Sequence, residues 1–373
     1  MKILKSIAST LPMILVSWLL LLSRIPDNTP LFISNIIIFF IMNILFFLMI
    51  YTGKTYKYRA IIFISAALLF PIGFIYNNII ERGSMLVSLS TIYECKVPFC
   101  HIVTPMLLIP VVVLKEIPFP GAIVSSSNSI ASMLVILFSA VIVIGRGWCS
   151  WGCFYGGWDE FFSNLRKKPV YYLTNVFWKY LPWAVMIFVI LMASYTLTPV
   201  YCSWLCPFKP VTEFKGISTL TDIIQAVIFF SMFFIFIIIL PLLTKKRAQC
   251  SCFCPLGPTI ISFLNRFNLY DVTINKTICV NCKKCIKICP LMAIDDESLK
   301  KGKTLFNCAK CSKCIDECPK KAISFHIKGT KIDVNQSAQR LLYLYSSWTL
   351  MTALLGGILS SSITVILKLV FHM

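Results

Sequence analysis

Eight cysteines between Cys279 and Cys318 constrain this chain more than any other feature of it. They read C-x2-C-x2-C-x3-C-P twice, as Cys279, Cys282, Cys285, Cys289-Pro290 and as Cys308, Cys311, Cys314, Cys318-Pro319. Three thiolates at that spacing wrap one face of an iron–sulfur cube, and the fourth cysteine of each run ligates the other cube. The pattern therefore assigns one [4Fe–4S] cluster to Cys279, Cys282, Cys285 and Cys318, and a second to Cys308, Cys311, Cys314 and Cys289. A zinc site needs cysteine pairs that close a tetrahedron, and gives no reason for two identical runs that each end in proline.

The rest of the chain reads as a membrane protein. Apolar residues make up 58% of the 373, above a soluble globular domain. Runs long enough to cross a hydrocarbon core are Ile7–Ser23, Leu31–Tyr51, Ala60–Ile80, Ser129–Gly145, Phe177–Leu197, Asp222–Leu243 and Ser347–Phe371. The first, preceded by Lys2 and Lys5, has the outline of a signal peptide, but Arg24-Ile25-Pro26-Asp27 follows it in place of a small-x-small cleavage site, so a retained helix is expected. Three basic groups, Lys54/Lys57/Arg59, Arg166–Lys168 and Lys245–Arg247, fall on one face when spans are counted from a cytoplasmic N-terminus. The ferredoxin-like segment 272–330 then lies on the cytoplasmic side of an inner membrane. The formal charge of +20 is explained by these anchors and by ferredoxin surface lysines. Neither an interleaved aromatic and basic tract nor a GxGxxG or Walker A pattern is present, so no nucleic-acid or nucleotide role is expected.

Nine further cysteines remain. Cys149-Ser-Trp-Gly-Cys153 follows the fourth span and Cys250-Ser-Cys252-Phe-Cys254-Pro255 the sixth, both at the inner rim. Cys95 and Cys100 follow the third span and Cys202-Ser-Trp-Leu-Cys206-Pro207 the fifth, both at the outer rim. Between them Ile102–Leu114 is apolar but too short to span; Pro105 and Pro110 are expected to break it, leaving a re-entrant or interfacial segment. Three readings stay open for the two sets: small buried hydrophobes, a disulfide in the outer set, or metal or additional iron–sulfur centres held by Cys149, Cys153, Cys250 and Cys254 and by Cys95, Cys100, Cys202 and Cys206. Cys252 is spare. Arg146 is expected to snorkel or to meet an anion, with Asp159 or Glu160 as partner. Trp148, Trp151, Trp158, Phe161 and Phe162 read as an aromatic belt. His101 is a weak ligand candidate, and three histidines without a CxxCH site argue against haem.

Across about 125–330 the chain resembles the NapH/NosR/CcoG-type membrane polyferredoxins. Gly145 to Cys153 matches the family's first C-x3-C-P motif and Cys250 to Gly257 its second, while the eight ferredoxin cysteines match one for one. Phe154 stands where the family has proline, and Cys202–Pro207 is an additional motif. The resemblance implies electron transfer between the quinol pool or cytoplasmic donors and redox proteins at the outer face, or service in maturing copper enzymes. No covalent flavin site of the NosR branch is present.

The expected architecture is an all-α polytopic membrane domain with an inserted cytoplasmic 2[4Fe–4S] ferredoxin module of α+β type and a C-terminal transmembrane helix. Its parts are N-terminal helices with the outer cysteine loop (1–128), core helices with the C-x3-C motifs (129–271), the ferredoxin (272–330), and a linker with the last helix (331–373). The expected function is a transmembrane electron-transfer subunit within a membrane redox complex, in contact with lipid, a cytoplasmic donor or acceptor protein, and an outer-face redox protein or the quinone pool. Two alternatives are a quinol dehydrogenase subunit, with quinone as an added cofactor, and an electron donor for maturation of an exported metalloenzyme. No catalytic residue is assigned, and whether the chain is itself an enzyme stays open.

Overall fold

A computed structural model of the chain describes residues 2–23, 26, 28–82, 100–116, 130–173, 177–212, 217, 219–330 and 336–371. Among them, seven helices are long and apolar enough to cross a membrane: Lys2–Leu21, Thr29–Thr52, Thr55–Asn77, Ile130–Trp151, Phe177–Thr196, Leu220–Thr244 and Gln336–Phe371. All seven expected spans are found. Their outward faces are apolar, with Leu15, Ile142 and Val227 among the exposed side chains, as lipid-facing surfaces must be.

The chain divides into two compact units. Unit 1 comprises 1–74, 143–158 and 265–373, and unit 2 comprises 75–142 and 159–264. In unit 1 the spans are joined by polar contacts, because apolar side chains gain little by leaving lipid for one another. Asn43 Nδ2 donates to Ser17 Oγ at 2.8 Å, Thr364 Oγ1 to Ser34 Oγ at 2.9 Å, and Ser362 Oγ to the Leu69 carbonyl at 2.9 Å. Gly73 lets the third and seventh spans approach, since a Cβ there would stand 2.9 Å from Ser362 Oγ.

The seventh span begins at Gln336, eleven residues earlier than its apolar run. The cause is packing against the ferredoxin. That module is closed by two antiparallel strands, β1 (Tyr270–Ile274) and β2 (Ile323–Ile327), with Val272 opposite Phe325. Gln339 Oε1 accepts from the Ile327 amide at 2.8 Å, and Tyr343 stacks on Phe325 with ring centroids 4.0 Å apart. The polar start of the helix is thus a buttress for the sheet and its apolar remainder the span.

In unit 2 the segment 101–114 is a continuous apolar helix of three pitches, a 3-10 turn (His101–Val103), an α turn (Thr104–Ile109) and a π turn (Pro110–Leu114). Pro105 and Pro110 do not break it. Pro105 sits in the first turn, where no amide bond is lost, and at Pro110 the ladder widens to π pitch. Cys95 lies outside the described residues.

Candidate iron–sulfur sites

The ferredoxin repeats itself: each cysteine of the first run recurs 29 residues later, and the backbone follows suit. Asn281 and Lys283 take the left-handed conformation, and so do Lys310 and Ser312; Met292 is matched by Lys321. Left-handed residues cost about 1–2 kcal/mol each, and they turn successive amides toward one side, forming anion-binding nests. The two nests open onto two hollows. One, of about 390 Å³, is lined by Cys279, Cys282, Cys285 and Cys318. The other, of about 350 Å³, is lined by Cys289, Cys308, Cys311 and Cys314. Each cysteine before proline thus crosses to the hollow of the other run. There its sulfur accepts a backbone amide: Ala293 donates to Cys289 Sγ at 3.2 Å and Ala322 to Cys318 Sγ at 3.3 Å.

These hollows suit a cluster better than a single ion. Zinc draws its thiolates to about 2.3 Å, yet among the described residues no three His, Cys, Asp or Glu side chains converge on a point that could hold one metal ion. Four cysteines spread around a cavity, with amides aimed at sulfur, match the donor set of a cubane.

The two hollows differ in setting. The first faces water: Val280 and Cys282 are exposed, as are Lys283, Lys284 and Lys320 on its rim. The second is buried, with Lys310 and Ser312 each 2% exposed. Lys310 Nζ donates to Asn265 Oδ1 at 2.6 Å and to the Ile144 carbonyl at 3.1 Å. Burial draws its pKa down to about 8, with the Cys308 thiolate opposing. Asn265 Nδ2 donates to the Phe306 carbonyl at 2.7 Å, Arg146 Nη1 to the Asn307 carbonyl at 2.6 Å, and Trp151 Nε1 to the Lys310 carbonyl at 3.2 Å. Arg59 Nη1 in turn donates to the Ser150 carbonyl at 2.6 Å. The end of the fourth span, which carries Cys149 and Cys153, is therefore bonded directly to the loop of the second hollow.

This setting changes the reading of several residues. Trp148 and Trp151 are buried rather than arrayed at a lipid interface, and Trp151 reaches the ferredoxin loop through the Lys310 carbonyl. Arg59 is fully buried and lies over the rings of Tyr56, Phe63 and Trp151; it is an internal clamp and not a membrane-side anchor. Arg247 is likewise buried, 3.8 Å from Glu160. Lys245 Nζ meets the Lys167 carbonyl at 3.0 Å, so two of the basic groups are neighbours in unit 2. In unit 1 the third flanks the ferredoxin, since Asp316 accepts from the amides of Thr55 at 3.0 Å and Tyr56 at 2.7 Å. Burial raises the Asp316 pKa, and those amide bonds oppose the rise.

Unit 2 gathers Cys100, Cys202, Cys206, Cys250, Cys252 and Cys254. Cys250 is flanked by two ionisable groups: Arg247 Nη2 lies 3.2 Å from its sulfur, and its amide donates to Asp159 Oδ2 at 2.8 Å. Cys254 Sγ accepts from the Gly257 amide at 3.5 Å. Cys100 and Cys206 lie within electrostatic reach of each other. Cys149 and Cys153 belong to unit 1. His101 is buried, and its carbonyl accepts from Thr104 Oγ1 at 2.7 Å. No disulfide is formed among the described residues.

Comparison with known proteins fits this division of labour. Residues 271–337 match the family model described as a 4Fe-4S dicluster domain. Three stretches, 128–170, 180–216 and 226–263, match the model described as a 4Fe-4S binding domain. Each of the three takes in all or most of one span and a C-x3-C at or after its end. The chain is 28% identical over 196 residues to an uncharacterized protein of Methanocaldococcus jannaschii, which covers 49% of this chain and 75% of that protein. No solved structure matches. The chain therefore combines iron–sulfur-binding motifs with seven helices fit to cross a membrane.

Sequence reasoning overlooked Lys310, Asn265, Tyr201 and the clamp role of Arg59. For Lys310 a signal existed, since its counterpart in the first run is Asn281. It is one of five non-cysteine positions at which the two runs differ, and the one that places a lysine inside the buried loop.

Proposed function

We propose that the chain is a transmembrane electron-transfer subunit of the NapH/NosR/CcoG type, passing electrons between two [4Fe–4S] clusters on the cytoplasmic side and a redox partner at the outer face. The observation that carries this is the unequal placement of the two four-cysteine hollows. One is open to water, and the other is bonded into the end of a span. Clusters bound there supply a one-electron couple whose potential follows burial and hydrogen bonds to sulfur. The chain's own residues do the rest. Cys279, Cys282, Cys285 and Cys318 present one site to a soluble donor or acceptor; Cys308, Cys311, Cys314 and Cys289 keep the other dry; Arg146, Asn265, Lys310 and Trp151 fix its distance from the membrane helices. The basic turn at Lys54 and Lys57, beside the ferredoxin, supports a cytoplasmic placement. Cysteines after the fourth, fifth and sixth spans continue the route.

The reading is tested in sealed proteoliposomes that expose the ferredoxin outward and enclose an impermeant one-electron acceptor. Acceptor reduction by an external donor is expected, falling to the protein-free rate in Cys314→Ala. A chain that binds two cubanes but carries no electrons across overturns the transmembrane role. A chain without cubane EPR signals overturns the whole reading.

A further inference from the structure

Two cysteine motifs that chain order places on opposite membrane faces come together in unit 2. The fifth span leads to Cys202–Cys206 and the sixth to Cys250–Cys254, and spans of opposite direction should keep these apart. They meet because residues after the sixth span turn back. Gln249–Phe253 and Leu256–Ile261 are π-helical turns that run beside the fifth span, and almost every residue from Arg247 to Ser262 is buried. Tyr201, 1% exposed, is the point of contact. Its hydroxyl accepts from Gln249 Nε2 at 3.3 Å, its ring lies 6.2 Å from that of Phe253, and its amide approaches Met106 Sδ at 3.3 Å, six residues beyond Cys100. Around that hydroxyl, within electrostatic reach, stand Cys206, Cys254 and Cys202. Cys100 lies within electrostatic reach of Cys206.

The local backbone shows what these sulfurs are prepared for. Each of the four Cys-Pro steps in the chain, at Cys206, Cys254, Cys289 and Cys318, directs backbone amides at its own sulfur. Phe208 and Lys209 serve Cys206, Gly257 serves Cys254, and Ala293 and Ala322 serve the two ferredoxin residues. A neutral thiol is a weak acceptor; aimed amides are useful to a thiolate, as at a cluster ligand. The two Cys-Pro sulfurs of unit 2 thus share with the ferredoxin's crossing cysteines a backbone amide donated to sulfur, from two or three residues on rather than four. They do so in a buried site with a phenol that already accepts one hydrogen bond and retains its own proton to give. The Gln249 side-chain oxygen, Oε1, is also buried without a hydrogen-bond partner.

We propose that Cys100, Cys202, Cys206 and Cys254 together hold a single third [4Fe–4S] cluster within unit 2, with the Tyr201 hydroxyl as its hydrogen-bond donor. The inference rests on the iron–sulfur reading above and replaces two rim centres with one interior centre. Cys250 stands outside the set, occupied with Arg247 and Asp159. Tyr201 is a positioning residue: a proton donated toward cluster sulfur favours the reduced, more negative state.

The test uses the full chain in detergent, reconstituted anaerobically with ferrous iron and sulfide. Iron and sulfide of about 12 each per chain are expected, three cubanes of four. Cys100→Ala, Cys206→Ala and Cys254→Ala should each lose about one third of both and keep the two ferredoxin EPR signals. Cys250→Ala should lose none. A wild-type value of about 8 with both ferredoxin signals present overturns the third centre and leaves the electron-carrier reading standing. Equal loss in Cys250→Ala and Cys254→Ala, with none in Cys100→Ala or Cys206→Ala, overturns the ligand set. Tyr201→Phe keeps every cysteine and guards against misfolding. It should retain full iron and shift only the third centre to lower potential; an unmoved potential overturns the tyrosine's role.

Discussion

At Gly145 one hydrogen atom holds the ferredoxin junction open. The residue has φ +60°, and a Cβ there would stand 1.9 Å from Asn265 Oδ1, 2.5 Å from Asn268 Nδ2 and 2.8 Å from Lys310 Nζ. Asn265 Oδ1 already accepts from the Arg146 amide at 3.0 Å and from Lys310, so it cannot retreat without stranding a buried ammonium. Gly145→Ala should cost on the order of 2–4 kcal/mol, combining left-handed strain with displaced buried hydrogen bonds. Gly53 is the control: its φ is +78° with nothing within 4 Å of a Cβ, so Gly53→Ala should cost only about 1 kcal/mol. Thermal unfolding of both variants in detergent, followed by tryptophan fluorescence, checks the order; equal losses would show that the Asn265 contact is not holding the junction. This is also the scale at which the sequence was least readable. Ligand spacing is local, so the eight ferredoxin cysteines could be read from their intervals. Arg59 and Arg247 were not legible, because a charge near a span end looks alike in sequence whether it snorkels to water or clamps a carbonyl inside.

Among elements, the turn between the second and third spans is a latch. Asp316 takes both amides of Thr55 and Tyr56, while Arg340 of the seventh helix donates to Thr55 Oγ1 at 2.9 Å and to the Met49 carbonyl at 3.1 Å. Ferredoxin, hairpin turn and last helix are thereby tied at one buried residue, since Thr55 is wholly inaccessible. Removing the carboxylate takes the acceptor from two partly buried donors, at up to about 1–3 kcal/mol each. Asp316→Ala should speed hydrogen exchange at Thr55 and Tyr56 by at least tenfold and leave exchange in the second span unchanged. Unaltered protection at both amides would mean that Arg340 alone secures the turn. The seven spans were legible because twenty apolar residues have few other uses. The early start of the seventh helix and the return of residues 249–261 beside the fifth span were not. Both depend on partners distant in sequence, and π-helical turns leave no period of their own in a hydrophobic pattern.

For the molecule as a whole, the proposed electron-transfer role makes the open hollow the place where a soluble partner would arrive, and its rim the selector of that partner's charge. Val280 and Ile278 expose apolar surface beside Cys279 and Cys282, and the exposed lysines Lys276, Lys283, Lys284, Lys320 and Lys321 surround them. Two of these are partly neutralised at the surface, Lys283 by Asp296 at 2.6 Å and Lys284 by Glu317 at 2.7 Å. Such exposed pairs contribute little to stability, but they leave Lys320 and Lys321 as the ends of a positive field. A small apolar contact within a ring of one charge suits a brief encounter, in which electrostatics governs the rate of arrival more than the strength of the complex. An acidic soluble electron carrier should therefore reduce the open site at a rate that falls about tenfold or more between low and moderate salt. Lys320→Glu with Lys321→Glu should slow the reaction to a similar degree at low salt and flatten its salt dependence. A small uncharged reductant should be indifferent to both changes. Stopped-flow reduction of the full chain distinguishes these cases. A salt-independent rate with the acidic carrier would mean that exchange occurs elsewhere, and would remove the reason for one hollow to face water while the other is sealed against the membrane helices.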